Sequence, residues 1–571
     1  MLAFKKFNLA ELPELSAAKY DSRPALSMVV GSVYTYRDFE RLSRGIAQAL
    51  ASNGIKKGDR VALLAENSPQ WVIAWFGIVR AGAIVVPILN DFMPKQIANI
   101  IQHSGAKIVF ASNKLKAKLV EISPEPEIWD VSKDFEPSAD SVELPAVEAD
   151  DLAMIVYTSG TTGISKGVML SHRNILSNAI ACKSIITLRR TDRLLSILPL
   201  AHTYEFTIGM VIPLLYGAHI FYLDRPPSAS ALLPALKAVR PTIMLSVPLV
   251  IEKVYQSGIA PELNGMKLYK NKLMRPLILR IAGMKLKKTF GGHLRFFGIG
   301  GAPLAAEVEE FLKKAHFPYA IGYGLTETAP LIAGCAPKAT FLRSTGPVLK
   351  GVELRIANPK TSTGEGEIQA RGPNIFKGYW KDEARTKEAF TEDGWFCTGD
   401  LGSIDNKGRL FVRGRLKTLI LGASGENIYP EEIESILNQM PEVEESLVVE
   451  EEDGLTALVC LKSEVLDNIG ARLQDHLDAV GDLGSRVGQA IAQAEKSVTG
   501  SVNQALTDTE KAIERLLENL RKEANSRLAA FSRIQRVKLH PEPFEKTPTQ
   551  KIKRFLYGKA KEKANQAQSS C

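Results

Sequence analysis

A chain of 571 residues, 45% hydrophobic and 24% charged, predicts a soluble protein of two or more domains, because a single core rarely grows to this size. Its five cysteines (Cys182, Cys335, Cys397, Cys460 and Cys571) are scattered and lack C-x-x-C spacing; this argues against a disulfide framework or zinc site and fits a reducing cytosol. No run of 18 uncharged apolar residues appears, so no spanning helix is expected, and the net charge of +9 is modest for this length.

The opening MLAFKKFNLAELPEL meets Glu11 and Glu14 before any long apolar stretch, which predicts no cleaved secretory signal. Val61–Leu64 then reads as a buried strand. Ser68 is placed to cap a helix whose first position is Pro69, with Gly82 near its end, and Ile84, Val85 and Val86 read as a second strand. Strand, helix, strand is the grammar of a mostly parallel sheet with helices on its faces. Similar strands are predicted at Lys107–Ala111, Leu195–Leu198, His219–Leu223, Thr242–Ser246 and Leu294–Ile299.

After Gly346, short runs such as VELRIA, GEIQARG and GRLFVRGR alternate with turn residues and predict a β-rich subdomain. A domain boundary is placed near Gly414-Arg415, dividing an N-terminal domain, 1–414, from a small mobile α/β domain, 415–571. The latter begins with a helix opened by Pro430, with acids in its first turn. A helical insertion is expected at about 467–530. There Leu473, Leu477, Val480, Gly484, Val487 and Ile491 follow heptad spacing, and a shifted series runs from Val502 through Leu516 to Leu520. A packed hairpin, a partner-binding helix and a membrane-lying helix all fit that pattern. The basic tail Lys551–Lys563 suits phosphates or anionic lipid as well as plain solvation.

The strongest local signal is Tyr157-Thr-Ser-Gly-Thr-Thr-Gly-Ile-Ser-Lys-Gly167, which follows the apolar run LAMIV. Thr158, Ser159, Thr161 and Thr162 supply hydroxyls beside Gly160 and Gly163, which let the backbone approach a polyphosphate, and Lys166 adds positive charge. The pattern is not a P-loop, because Ser165 precedes Lys166 and Gly167 follows it.

This segment resembles the phosphate loop of the adenylate-forming superfamily, which includes acyl-CoA synthetases, peptide-synthetase adenylation domains and firefly luciferase. Five further motifs follow in the family's order. Gly300-Gly-Ala-Pro-Leu304 resembles the adenine-side loop, and Ile321-Gly-Tyr-Gly-Leu-Thr-Glu-Thr328 the second nucleotide motif. Trp395–Asp400 carries the ribose-binding pattern. Gly414–Ile420 resembles the interdomain hinge, and Thr547-Pro-Thr-Gln-Lys551 the lysine loop.

The resemblance implies ATP, Mg²⁺ and coenzyme A as cofactor and co-substrates. It implies that Lys551 bridges the carboxylate and the α-phosphate, that Glu327 with Thr158 holds Mg²⁺, and that Asp400 and Arg415 meet the ribose or phosphates. Gly301, Ala302, Pro303, Gly322, Tyr323, Gly324 and Thr326 would surround the nucleotide, with Tyr323 against adenine. His202, in LPLAH, would lie beside the substrate carboxylate, and Lys417 on the hinge between two half-reactions. Many relatives have Gly where Gln550 stands; long-chain acyl-CoA synthetases resemble this chain in lacking it.

The expected activity is therefore that of a cytoplasmic long-chain fatty acyl-CoA synthetase, with peripheral contact at the inner face of a membrane left open. Acyl carrier protein as the acceptor and a non-enzymatic scaffold are the alternatives. No nucleic-acid partner is expected, and the oligomeric state is open.

Overall fold

The computed structural model describes residues 2–120, 122–123, 125–138, 142–158, 166–421, 427–451, 454–465, 467, 511–546 and 552–557. The chain divides into two compact units, Met1–Arg413 and Gly414–Cys571.

The first unit is α/β. An eight-stranded sheet runs in the order Leu331–Gly334, Tyr319–Gly324, Phe296–Ile299, Ile243–Ser246, Arg193–Ser196, His219–Tyr222, Pro24–Met28 and Val33–Thr35. Its inner pairs are parallel and its two edge strands antiparallel. A six-stranded sheet has the order Glu127–Asp130, Ala106–Ala111, Arg60–Leu64, Ile84–Pro87, Leu152–Thr158 and Lys166–Ser171, again parallel inside. A five-stranded sheet with antiparallel pairing, between Gly346 and Arg415, forms the β-rich part. The mixed α/β architecture expected from the apolar runs is what the chain adopts.

Local chemistry explains the elements. The Ser68 hydroxyl accepts from the Trp71 amide at 3.2 Å and Pro69 opens helix Pro69–Arg80, as the sequence predicts. That helix is apolar all round and is buried from Trp71 to Val79, so it can only sit inside a core. Gly77 makes room for helix Tyr36–Ser52: a Cβ there would stand 2.5 Å from Ile46 Cβ. The core holding this helix also takes Val61, Val85 and Ile108 from the six-stranded sheet and Leu26, Ile220 and Ile243 from the eight-stranded one. One apolar cluster therefore fixes both sheets and, with them, the strand ends that carry the site. Several strand boundaries differ from expectation by one or two residues, as in Phe296–Ile299 for the foreseen Leu294–Ile299. The strand foreseen at Leu195–Leu198 is Arg193–Ser196, because Pro199 and the turn it starts take Ile197 and Leu198 out of the ladder.

The second unit pairs Val443–Glu451 antiparallel and Arg536–Leu539 parallel with the central strand Gly454–Leu461. Helix Pro430–Leu437 opens with Glu431 and Glu432 in its first turn. Residues 511–527 are helical, and Leu520 and Ala524 are buried in this unit's core beside Ile433 and Leu437. Most of the heptad pattern, from Leu473 to Leu506, lies outside the described residues. Its last members, Leu516 and Leu520, belong to the unit's own core. Among the described residues no helix is long and apolar enough to cross a membrane.

Candidate active site

The site is built where strand ends meet. Thr158 and Lys166 face each other at the tips of the antiparallel strands Leu152–Thr158 and Lys166–Ser171. Ser159, Gly160, Thr161, Thr162 and Gly163 lie between them, outside the described residues. Lys166 Nζ stands 5.0 Å from the centroid of the Tyr379 ring. The Tyr379 hydroxyl in turn donates to Glu327 Oε1 at 3.0 Å. Burial, and then the charge of Glu327, raise the Tyr379 pKa far above its usual value, so the phenol stays a proton donor. Thr158, Lys166, Tyr379 and Glu327 thus form one connected row. Tyr379 was not foreseen. The available signal was the aromatic pair Tyr379-Trp380 directly after Gly378, whose φ is +127°.

Glu327 sits in the 3₁₀ turn Thr326–Thr328, and buried side chains hold that turn from three directions. The Asn178 amide donates to the carbonyl of Leu331 at 2.6 Å, the Asn374 amide to that of Thr328 at 2.9 Å, and the Thr207 hydroxyl to that of Ala329 at 3.1 Å. Such buried donors cost stability if left unpaired, so each pins the turn in place. Gly324 has a packing reason as well, since a Cβ there would stand 1.9 Å from the Pro330 carbonyl oxygen.

On the same strand as Gly322 and Gly324, Tyr323 is partly buried and donates from its hydroxyl to Asp400 Oδ2 at 2.8 Å. Asp400 is 5% exposed, on strand Phe396–Ile404, and its amide donates to the Thr398 hydroxyl at 3.1 Å. Gly301, Ala302 and Pro303 form an exposed loop directly after strand Phe296–Ile299, with Gly301 at φ +89°.

Magnesium can be held by one or two carboxylates while phosphates and water complete its shell. Glu327 suits that role, being partly exposed in a neighbourhood of oxygen donors. Among the described residues no cluster of three or more His, Cys, Asp or Glu could cage a metal by itself.

His202 is partly buried, and its carbonyl accepts from the Phe206 amide at 2.9 Å, opening a helical stretch that runs through the π-helical turn Glu205–Val211. Two residues further on, Tyr204 helps to wall a narrow apolar slot with Ile208, Leu245, Gly298 and Gly322, and Cys182 is also in its lining. The Tyr204 ring lies against two glycines: a Cβ on Gly298 would stand 2.9 Å from its hydroxyl oxygen, and one on Gly300 3.3 Å from its Cζ. The Cys182 thiol is buried and pushed up to about 12, so it is an inert wall rather than a nucleophile.

Glu205 was also missed. It is wholly buried, and burial pushes its carboxyl up to about 8, against a hydroxyl bond donated by Ser196 at 2.5 Å. Among the described residues its Oε2 finds no hydrogen-bond partner. The signal was a single acid in the apolar run from Phe206 back to Ala201 and on to Tyr216.

Arg415 and Lys417 belong to the second unit. Arg415 ends strand Arg409–Arg415 and Lys417 lies in the turn Leu416–Thr418, both exposed. The Thr418 hydroxyl secures this turn to the Arg415 carbonyl at 3.2 Å and to Glu431 at 2.8 Å. Lys551 lies outside the described residues. Lys546 and Ile552, on either side of its segment, form an antiparallel bridge, and Lys546 pairs with Glu445 at 2.6 Å.

Comparison with known proteins converges with this geometry. The chain is 29% identical to the long-chain-fatty-acid–CoA ligase FadD15 of Mycobacterium bovis, over 90% of this chain and 88% of that protein. It is 30% identical to the 4-coumarate–CoA ligase CCL1 of Humulus lupulus, over 76% of this chain and 80% of that one. ATP-bound MatB from Rhodopseudomonas palustris shares its fold with a TM-score of 0.72 and 26% identity, over 96% of this chain and 98% of that chain. The profile of the AMP-binding enzyme family matches residues 14–380, the segment that holds Thr158, Lys166, Glu327 and Tyr379. The chain belongs to the AMP-binding enzyme family of adenylate-forming enzymes.

Proposed function

We propose that this protein is an AMP-forming acyl-CoA ligase acting on a long-chain fatty acid. The observation that carries the substrate class is the slot between Tyr204 and the glycines of strands Phe296–Ile299 and Tyr319–Gly324. Its lining holds no charged side chain, and its wall at Gly322 adjoins Tyr323. An aliphatic chain suits such a wall; a second carboxylate or a sugar would be left there without partners.

In the first half-reaction a carboxylate oxygen attacks the α-phosphorus of ATP, and pyrophosphate leaves. Two anions must meet, so the chain has to supply positive charge and fixed donors. Lys166, and Lys551 from the second unit, are assigned that charge. Asp400, held by Tyr323, would take the ribose hydroxyls together with Arg415. Mg²⁺ on Glu327 would neutralise charge on the leaving pyrophosphate, with the Tyr379 phenol fixing the carboxylate's orientation. His202, two residues before Tyr204 of the slot wall, is assigned to the reacting carboxylate. In the second half-reaction the thiol of coenzyme A attacks the acyl carbon and AMP leaves. Lys417 and the turn around it would provide the pivot, since one arrangement cannot complement two transition states.

The test is a panel of carboxylic acids with ATP and hydroxylamine, read as hydroxamate. The expected result is the highest kcat/KM for long aliphatic acids, and coenzyme A consumed in preference to acyl carrier protein in a parallel assay. No hydroxamate from any acid with folded protein would remove the reading. Release of acyl carrier product alone would move it to the alternative acceptor.

A further inference from the structure

The segment from Met266 to Phe290 holds six lysines and two arginines and no acidic residue, in a protein whose whole net charge is +9. Most of it is helix Arg275–Thr289, whose buried stripe, Leu279, Gly283 and Leu286, faces the unit's own core. Gly283 sets that contact, because a Cβ there would stand 2.1 Å from the Ala315 carbonyl oxygen. At 100° per residue, Leu277, Ile281 and Met284 fall on the opposite side of the helix. All three are exposed, Met284 by 64%, and Leu273 just before the helix is 88% exposed. A helix apolar on two opposed faces, one of them in solvent, departs from the single stripe a surface helix needs.

The flanking charges define what that outer face suits. Arg280 and Lys287 lie on one side of the apolar stripe, Lys285 on the other and Lys288 at its end. Among the described residues only Lys285 of these eight cations has a carboxylate partner, Glu262 at 2.7 Å. The nearby acids are occupied elsewhere: Glu252 accepts from the Ala305 amide at 2.8 Å and Glu307 from the Tyr255 hydroxyl at 2.8 Å. An outward row of Leu, Ile and Met rimmed by cations, of which Arg280, Lys287 and Lys288 have no carboxylate partner among the described residues, is the composition of a helix that lies in a lipid interface. There its side chains enter the acyl boundary and its cations meet headgroup phosphates. A second copy of the chain fits poorly, since two such faces would bring all their like charges together.

We propose that helix Arg275–Thr289, with the turn at Leu273, docks this protein on the surface of an anionic lipid bilayer. This surface shares no residue with the acyl slot, and docking through it does not depend on which acid the slot takes. The experiment is flotation of the full chain, without ATP or acid, on phosphatidylcholine vesicles with and without phosphatidylglycerol.

Wild-type protein is expected to float with the anionic vesicles, and less so as salt is raised. The triple variant Leu277→Ser, Ile281→Ser, Met284→Ser is expected to lose about tenfold or more in partitioning, as is Lys287→Glu, Lys288→Glu. Both variants change outward side chains, and hydroxamate formation from a short, water-soluble acid checks that they are folded. Absence of wild-type binding, or unaltered flotation of both variants, overturns the proposal. So does binding that is lost only when Lys559, Lys561 and Lys563 of the tail are changed to Glu. Conversion of a dimer to a monomer by the apolar triple, with flotation unchanged, would make this face a self-contact instead.

Discussion

The phenol of Tyr379 donates to the carboxylate of Glu327 at 3.0 Å while its ring lies 5.0 Å from the ammonium of Lys166. One aromatic side chain thereby links the residue assigned to the phosphates with the residue assigned to the metal. Tyr379→Phe keeps the ring and its packing against Phe376, 4.9 Å away, and removes only the donor. A hydrogen bond to a charged acceptor contributes about 1.5–3 kcal/mol, so pyrophosphate release should slow by roughly 10- to 100-fold. The magnesium concentration for half-maximal rate should rise as well. Unchanged values of both would detach Tyr379 from the site.

Asp400 carries a different part of the assignment. Asp400→Asn should raise KM for ATP about tenfold or more, by weakening a charge-assisted contact to the ribose, and should leave KM for the acid nearly unchanged. Equal effects on both constants would instead indicate a general disturbance of strand Phe396–Ile404.

The apolar slot predicts a change of chain-length preference. A Cβ on Gly298 would stand 2.8 Å from Leu245 Cδ2 and 2.9 Å from the Tyr204 hydroxyl oxygen, so Gly298→Ala must displace one of them into the slot. The kcat/KM for long aliphatic acids should fall about tenfold while that for short acids is largely kept. A uniform loss across all lengths would place the acyl chain elsewhere.

Glu205 makes a prediction about pH. Its folded carboxyl titrates at about 8, well above its unfolded value, because burial disfavours the charge. The folded state therefore holds a proton that the unfolded state has lost, and stability should decline as pH rises from about 4.5 toward 8. Glu205→Gln removes that slope. The variant should match wild type near pH 5 and gain on it as pH approaches 8, by an amount on the order of 3 kcal/mol in chemical denaturation. Parallel wild-type and variant curves would contradict the burial argument.

These cases mark what the sequence makes legible. Thr158, Lys166, Glu327 and Asp400 sit in compact local patterns, and the strands flanking them follow from apolar runs bounded by Gly, Pro and Ser. Helix Pro69–Arg80 was readable from its cap and its uniform apolarity. Tyr379, Asn178, Asn374 and Thr207 were not, because each reaches the Glu327 turn from a distant part of the chain and belongs to no pattern around it. The heptad spacing left its destination open: Leu516 and Leu520 keep it, and the pattern alone does not say whether a partner helix or the chain's own sheet receives them. Here they enter the core of the second unit. Deleting 467–508 spares both, so the unit's core keeps these contacts and pyrophosphate release should stay within about twofold of wild type.

Lys551, near the carboxyl end, is assigned the charge by which this chain would join a carboxylate to AMP. The most direct measurement is hydroxamate formation from ATP and a long-chain acid by wild type and Lys551→Ala, with folding checked by circular dichroism. Robust product is expected from the wild type and a loss of about 100-fold or more in the variant, the scale of removing a charge that acts chiefly in the transition state. Equal rates from the two proteins would contradict it.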